Sequence, residues 1–139
     1  MADQFNLARF IDAQEPVYEQ ARQELKAGRK QSHWMWFTFP QIAGLGQSAT
    51  SIRFAIGSLA EAKAYLMHPV LGPRLREFAR LALGVEAMTA AQIFGPVDAM
   101  KLRSSMTLFA QAAPEEDVFQ RCVDKYFAGS FDPATLARL

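Results

Sequence analysis

Ten residues, Ser32 to Gln41, contain both tryptophans of the chain, two of its eleven phenylalanines and one of its two histidines. Large aromatic side chains left in water would form an aggregation-prone patch, so this segment is expected to cross the centre of the fold. Its odd and even positions are both apolar, so the pattern fits a short buried strand as well as an irregular crossing. The segment also places His33 beside aromatic walls and close after the basic pair Arg29 and Lys30, which is typical of a ligand pocket.

Most of the remaining sequence has the apolar spacing of amphipathic helices. Between residues 97 and 112, for example, one helical face carries Ala99, Leu102, Met106 and Phe109. Seven or eight helices with short connections are expected, and no repeat, linker or low-complexity stretch separates them. The sequence therefore predicts an all-α fold, with a single multihelical domain over residues 1–139 and a buried aromatic crossing segment near 32–41.

Caps and helix breakers predict where these helices begin and end. Asp3 is suited to cap the first helix, and two pairs, Ser58 with Glu61 and Thr89 with Gln92, have the spacing of capping boxes. Prolines in first turns and glycines after last turns bound the other helices. The expected helices cover about 3–14, 16–28, 50–56, 58–67, 73–84, 97–112 and 114–129, with short helical turns at 89–95 and from 132 onward.

The charge balance and the single cysteine narrow the classes of function. Fifteen basic and fourteen acidic residues leave a formal net charge of +1, which provides no overall field to attract nucleic acid. The basic stripe from Arg22 to Lys30 could contact RNA or another anion, but a solvated helix face is the favoured interpretation. Cys122 alone cannot form an internal disulfide and favours a reducing compartment. Neither a signal-peptide pattern nor an apolar run of membrane-spanning length is present, so a cytoplasmic location is expected.

A second unusual run lies in the predicted helix at 97–112. Lys101, Ser104 and Ser105 share one face of this helix, next to its apolar face. A lysine one turn before a serine can hold a phosphate or carboxylate, or lower the proton affinity of the serine as in a Ser–Lys nucleophile pair. The structural alternative is that the small serines allow close helix packing while Lys101 reaches solvent.

The histidine and the two tryptophans of the 32–41 segment also have two interpretations each. His33 is a candidate for proton transfer near neutral pH, or a buried histidine that hydrogen-bonds a backbone carbonyl. Trp34 and Trp36 can stack on a flat ligand or a cation, or simply fill the core. No cofactor is assigned, because Gly44 and Gly46 lack the context of a dinucleotide loop. No metal is expected either, since the histidines and the cysteine show no ligand spacing.

Besides nucleic-acid binding through the stripe from Arg22 to Lys30, these patterns lead to two functional hypotheses. The first is a cleft for a small anionic ligand, nucleotide-like or phosphorylated, lined by His33, Trp34, Trp36, Lys101, Ser104 and Ser105. If the ligand is also a substrate, His33 is the candidate acid or base. The alternative is a noncatalytic module that binds a partner protein or a second copy of itself through the aromatic segment.

Several runs together carry a family resemblance that extends nearly from end to end of the chain. They are residues 9–14, 17–18, 24–25, 28–37, 39–42, 44–46, 68–72, 93–95 and 101–109. The most specific runs are Ser-His-Trp-Met-Trp-Phe at 32–37 and Lys-Leu-Arg-Ser-Ser-Met-Thr-Leu-Phe at 101–109. On these residues the chain resembles the bacterial "domain of unknown function 1810" family, which implies a small intracellular protein with an all-helical fold. The resemblance implies no activity, so it assigns no catalytic residue.

Overall fold

The computed structural model describes residues 3–139, which form ten helices and no strand. The helices are α1 (Ala8–Gln14), α2 (Tyr18–Lys26), α3 (Met35–Thr38), α4 (Ala49–Arg53), α5 (Leu59–Met67), α6 (Leu71–Gly84), α7 (Ala90–Phe94), α8 (Pro96–Ala112), α9 (Asp117–Phe127) and α10 (Pro133–Leu136). The predicted all-α fold is confirmed. The helix count exceeds the expected seven or eight because the single turn α3 was not expected and the short turns expected at 89–95 and from 132 onward form the helices α7 and α10.

The longest helix, α8, has 17 residues and lies at the centre of the packing. It contacts α5, α7, α9 and α10. Its predicted apolar face is buried, at Ala99, Leu102, Met106 and Phe109. Throughout residues 3–139, no helix has both the length and the apolar character needed to cross a membrane.

The aromatic segment is an irregular crossing that contains one helical turn, α3. Trp34 and Phe39 are fully buried, as expected for a segment at the centre of the fold, whereas Trp36 and Phe37 are only partly buried. The Trp34 ring lies 6.4 Å from that of Phe39 and 6.5 Å from that of Phe94. The segment therefore has one face in the core and one face available to a cleft.

A single parallel bridge between Ile42 and Ile56 closes the loop that carries α4. The Ile56 N–H donates to the Gln41 carbonyl, and the Ala43 N–H donates to the Ile56 carbonyl, both at 2.8 Å. Two backbone hydrogen bonds are too few to make a strand, but they hold the two ends of the loop together. As a result, α4 lies beside the aromatic segment.

The Arg9 side chain holds the C-terminal end of α4 in place. Its guanidinium donates to the carbonyls of Arg53 and Ala55, at 2.7 and 2.8 Å, and to the Glu61 carboxylate at 2.8 Å. Both members of the ion pair are nearly buried, with side-chain exposures of 13% and 8%. One side chain of α1 thus connects the end of α4 to α5.

The two predicted capping boxes have different outcomes. Thr89 and Gln92 form both reciprocal hydrogen bonds at the start of α7. At the start of α5, the Ser58 hydroxyl accepts from the Glu61 N–H, but the Glu61 carboxylate accepts from the Gly57 N–H instead of that of Ser58. The Ser58–Glu61 box is therefore incomplete, and the Glu61 carboxylate also binds Arg9.

The only cysteine, Cys122, lies in the core between α9 and α6. It is fully buried, its Sγ is 3.6 Å from the Ala79 carbonyl oxygen, and burial raises the pKa of its thiol to about 12. Because the thiolate is the reactive form, native protein near pH 8 should react with an aromatic disulfide reagent at least about a hundredfold more slowly than denatured protein. Release of the coloured thiol measures both rates, and equal rates would contradict this burial.

Candidate functional site

A cleft of about 320 Å³ lies between the aromatic segment, α4 and the start of α8. Its lining residues are Lys30, His33, Met35, Trp36, Phe37, Thr50, Asp98 and Lys101. The structure thus brings His33 and Trp36 of the first unusual run together with Lys101 of the second. His33 is solvent-exposed at the cleft rather than buried, so it has no role in ordering the core.

Two lysines share one carboxylate inside this cleft. The Asp98 carboxylate accepts from Lys101 Nζ at 2.7 Å and lies 2.9 Å from Lys30 Nζ. The side chains of Lys30, Lys101 and Asp98 are only 8%, 17% and 19% exposed. Since Asp98 is the one acid among the described lining residues, the cleft retains a surplus positive charge.

Asp98 is held in its ionised form. Burial by itself would raise its pKa, but hydrogen bonds and charge from Lys101 and Lys30 outweigh burial, so the pKa of Asp98 lies below its usual value. The three charged groups therefore form a fixed triad near neutral pH, with two cations and one anion.

Aromatic faces cover both ammonium groups. Lys101 Nζ lies 4.5 Å from the centre of the Trp36 ring, and Lys30 Nζ lies 5.1 Å from that of Trp34. Cation–π contacts of this kind favour a fixed position for the charge. They leave Trp36 as a flat wall of the cleft, with a cation at its face.

The buried carboxylate of Glu24, in α2, positions the chain between Lys30 and α3. It accepts from the backbone N–H groups of Gln31 and Ser32 at 2.7 and 2.9 Å, and from the indole N–H of Trp34 at 2.9 Å. The Ser32 hydroxyl donates to it as well. Burial alone would raise the pKa of Glu24, but these hydrogen bonds from Ser32, Gln31 and Trp34 lower it to about 2. His33 is therefore carried into the cleft on an anchored segment.

Three residues proposed from the sequence for the cleft are placed outside its lining. Trp34 is buried behind the wall, where Glu24 holds its indole N–H. The Ser104 hydroxyl points towards α10 and donates to Asp132 at 3.1 Å. Ser105 is fully buried in α8, and its hydroxyl has no partner within the described residues. Of the three α8 residues proposed from the sequence, Lys101 lines the cleft, because its side chain is long enough to reach Asp98 and Trp36.

The structure also adds lining residues that the sequence did not single out as a site. The sequence places Lys30 in the basic pair before the aromatic segment and in a solvated stripe, without assigning it to the lining of a site. Asp98 lies in the first turn of a helix, where acids are common. The spacing of Asp98 and Lys101, three apart on one helix, is the signal for their pairing. No sequence pattern indicates that Lys30 and Thr50 join them, because these contacts are made between elements distant along the chain.

The other histidine of the chain, His68, has a structural role. His68 ends α5, and its Nδ1 accepts from the Val70 and Leu71 N–H groups at 3.1 and 3.3 Å. No group of acids, histidines and cysteine within residues 3–139 has the geometry to hold a metal ion. Burial also removes Trp34 and Phe39 from any surface that an interaction module could use, which leaves Trp36 and Phe37 of the aromatic segment.

Comparison with known proteins places the chain in a family without assigning it an activity. No curated protein matches it. Among solved structures, the crystal structure of the conserved hypothetical protein Rv1873 from Mycobacterium tuberculosis is similar, with a TM-score of 0.97 and 50% sequence identity over 99% of this chain and 98% of that one. The profile described as "Protein of unknown function (DUF1810)" matches residues 4–139. Since this match covers almost the whole sequence, the chain belongs to the DUF1810 family.

Proposed function

We propose that the protein binds a small anionic ligand, phosphorylated or nucleotide-like, in the cleft between the aromatic segment and α8. The observation that carries this proposal is the sharing of Asp98 by two nearly buried lysines. A carboxylate that pairs with a single buried lysine neutralises its charge, but here two ammonium groups share one carboxylate. An anion in the cleft would supply the second negative charge where little water screens it.

The remaining lining residues suit the same kind of ligand. Lys30 and Lys101 offer donors for charge-assisted hydrogen bonds to phosphate or carboxylate oxygens. The exposed His33 imidazole and the Thr50 hydroxyl can donate further hydrogen bonds from the rim. Trp36 gives a flat part of the ligand a surface to stack on. If the bound ligand is also transformed, His33 is the candidate acid or base.

The test replaces Lys101 by methionine, which removes the charge but keeps an unbranched side chain against Trp36. Binding of nucleotides, sugar phosphates and inorganic phosphate is measured by calorimetry and by thermal shift. Lys101→Met should weaken binding at least about tenfold, because one charge-assisted hydrogen bond is lost. The matched control is Lys26→Met, which removes an exposed lysine of α2 and should leave the dissociation constant unchanged.

Two results would count against the proposal. One is the absence of binding by every anion tested at millimolar concentration. The other is equal weakening by Lys101→Met and Lys26→Met, which would indicate attraction to overall charge rather than to the cleft.

A further inference from the structure

A second cavity adjoins the cleft at Trp36. It has a volume of about 110 Å³ and is mostly apolar. Its lining includes Trp36, Ile42, Ala43, Ser51 and Ile52. Trp36 is the residue that this lining has in common with that of the cleft, so the two cavities share this side chain as a wall.

Helix α4 also contributes to both cavities. Thr50 lines the cleft, and the next two residues, Ser51 and Ile52, line the second cavity. The loop before α4 packs closely against both α4 and Trp36 at Gly46. A Cβ added there would lie 2.8 Å from the Ser51 side chain and 3.6 Å from the Trp36 ring. The two cavities therefore lie next to each other around one indole ring and one helical turn.

Ile52 adds an observation that packing within the chain does not explain. Its side chain lines the second cavity, yet the residue is 65% exposed. A large apolar residue at the mouth of an apolar cavity, beside a positively charged cleft, is an arrangement that a ligand with two different ends would cover.

We propose that the ligand is an amphiphilic anion, whose phosphate or carboxylate lies between Lys30 and Lys101 and whose apolar group reaches past Trp36 into the second cavity. This inference rests on the proposed function and deepens it by naming the ligand class. The charged end is selected by the surplus positive charge. The apolar end is selected because Ile42, Ile52 and their neighbours can bury it, whereas a sugar hydroxyl there would lose its hydrogen bonds to water.

The experiment compares phenyl phosphate with inorganic phosphate by calorimetry on the full chain. Phenyl phosphate should bind at least about tenfold more tightly, because its ring buries apolar surface that phosphate lacks. Ala43→Leu fills the second cavity without altering the lining of the cleft, so it should abolish this preference and leave phosphate affinity within about twofold. The matched control, Ala60→Leu at an exposed position of α5, should change neither affinity.

A second variant guards against a folding defect in Ala43→Leu. Ile52→Ser removes an exposed apolar group and should therefore keep the fold, while reducing the preference for phenyl phosphate at least about threefold. Equal affinity of the two anions for the wild-type protein would overturn the amphiphilic ligand but leave the anion site standing. A preference that survives both variants would overturn it as well. Failure of both anions to bind would instead contradict the proposed function.

Discussion

Replacement of Glu24 by glutamine should lower the free energy of unfolding near pH 7 by about 3 kcal/mol, since one pKa unit corresponds to about 1.4 kcal/mol. In the folded protein this carboxylate has a pKa of about 2, compared with an ordinary value of 4.5. Glutamine keeps the shape and one acceptor oxygen for the N–H groups of Gln31, Ser32 and Trp34, but it removes the negative charge. Its NH2 group would replace the oxygen that now accepts from the Ser32 hydroxyl and from the Gln20 side-chain amide. Urea unfolding followed by tryptophan fluorescence and circular dichroism measures the loss.

The pH dependence of this loss identifies its cause. The folded-state pKa of Glu24 is depressed, so its stabilisation is fully present above about pH 4.5 and disappears as the pH falls towards 2. The difference in stability between wild type and Glu24→Gln should shrink by more than half between pH 7 and about pH 3. Glu86→Gln, the same change at an exposed residue, should cost less than about 0.5 kcal/mol. A difference that stays constant with pH would show that the carboxylate charge is not the stabilising feature.

Replacement of Gly72 by alanine should destabilise the protein by about 3 kcal/mol or more, through a backbone clash. An added Cβ would lie 2.1 Å from the Leu66 carbonyl oxygen and 2.9 Å from its carbon. These are backbone atoms near the end of α5, so the first turn of α6 would have to move away from them. The expected result is a large decrease in the melting temperature without a change in helix content below the transition.

Gly84, at the other end of the same helix, provides the control. An added Cβ there meets no atom within 4 Å. Because alanine favours helix more than glycine does, Gly84→Ala should be neutral or stabilise by up to about 1 kcal/mol. Similar losses from both variants would mean that helix propensity or the unfolded chain, rather than the contact with α5, explains the effect of Gly72→Ala.

Helices with clear periodicity or clear caps could be predicted from the sequence, including the short α4, α7 and α10, but the single turn α3 could not. The apolar spacing of Ala99, Leu102 and Phe109 predicts the buried face of α8. Gly28, with a φ of +72°, follows the end of α2, as expected for a glycine that terminates a helix. By contrast, residues 35–38 are apolar at nearly every position, so no period reveals the single turn α3. A turn of four residues is set by its tertiary contacts rather than by local preference.

The candidate cleft could be predicted only in part, for reasons of geometry. His33, Trp36 and Lys101 were singled out, and the structure places them around one cleft. Ser104 was grouped with Lys101 because residues three apart lie on nearby faces, but the contact with α10 draws its hydroxyl elsewhere. The sequence does not indicate the pairing of Lys30 with Asp98, because the two residues are 68 positions apart, Lys30 in the loop after α2 and Asp98 in α8. Spacing along one element carries no information about such a pairing.

The anchoring of the segment after Lys30 has a consequence for how the chain responds to its environment. Glu24 holds Gln31, Ser32 and Trp34 on one side, while Lys30 meets Asp98 on the other. Local opening of this short stretch would therefore release the α2 contact and dismantle the charged triad in one event. A ligand that binds only to the intact cleft therefore stabilises this stretch against local opening, since the ligand is bound only while the stretch is closed. Ligand occupancy and resistance to local unfolding become two readouts of the same equilibrium.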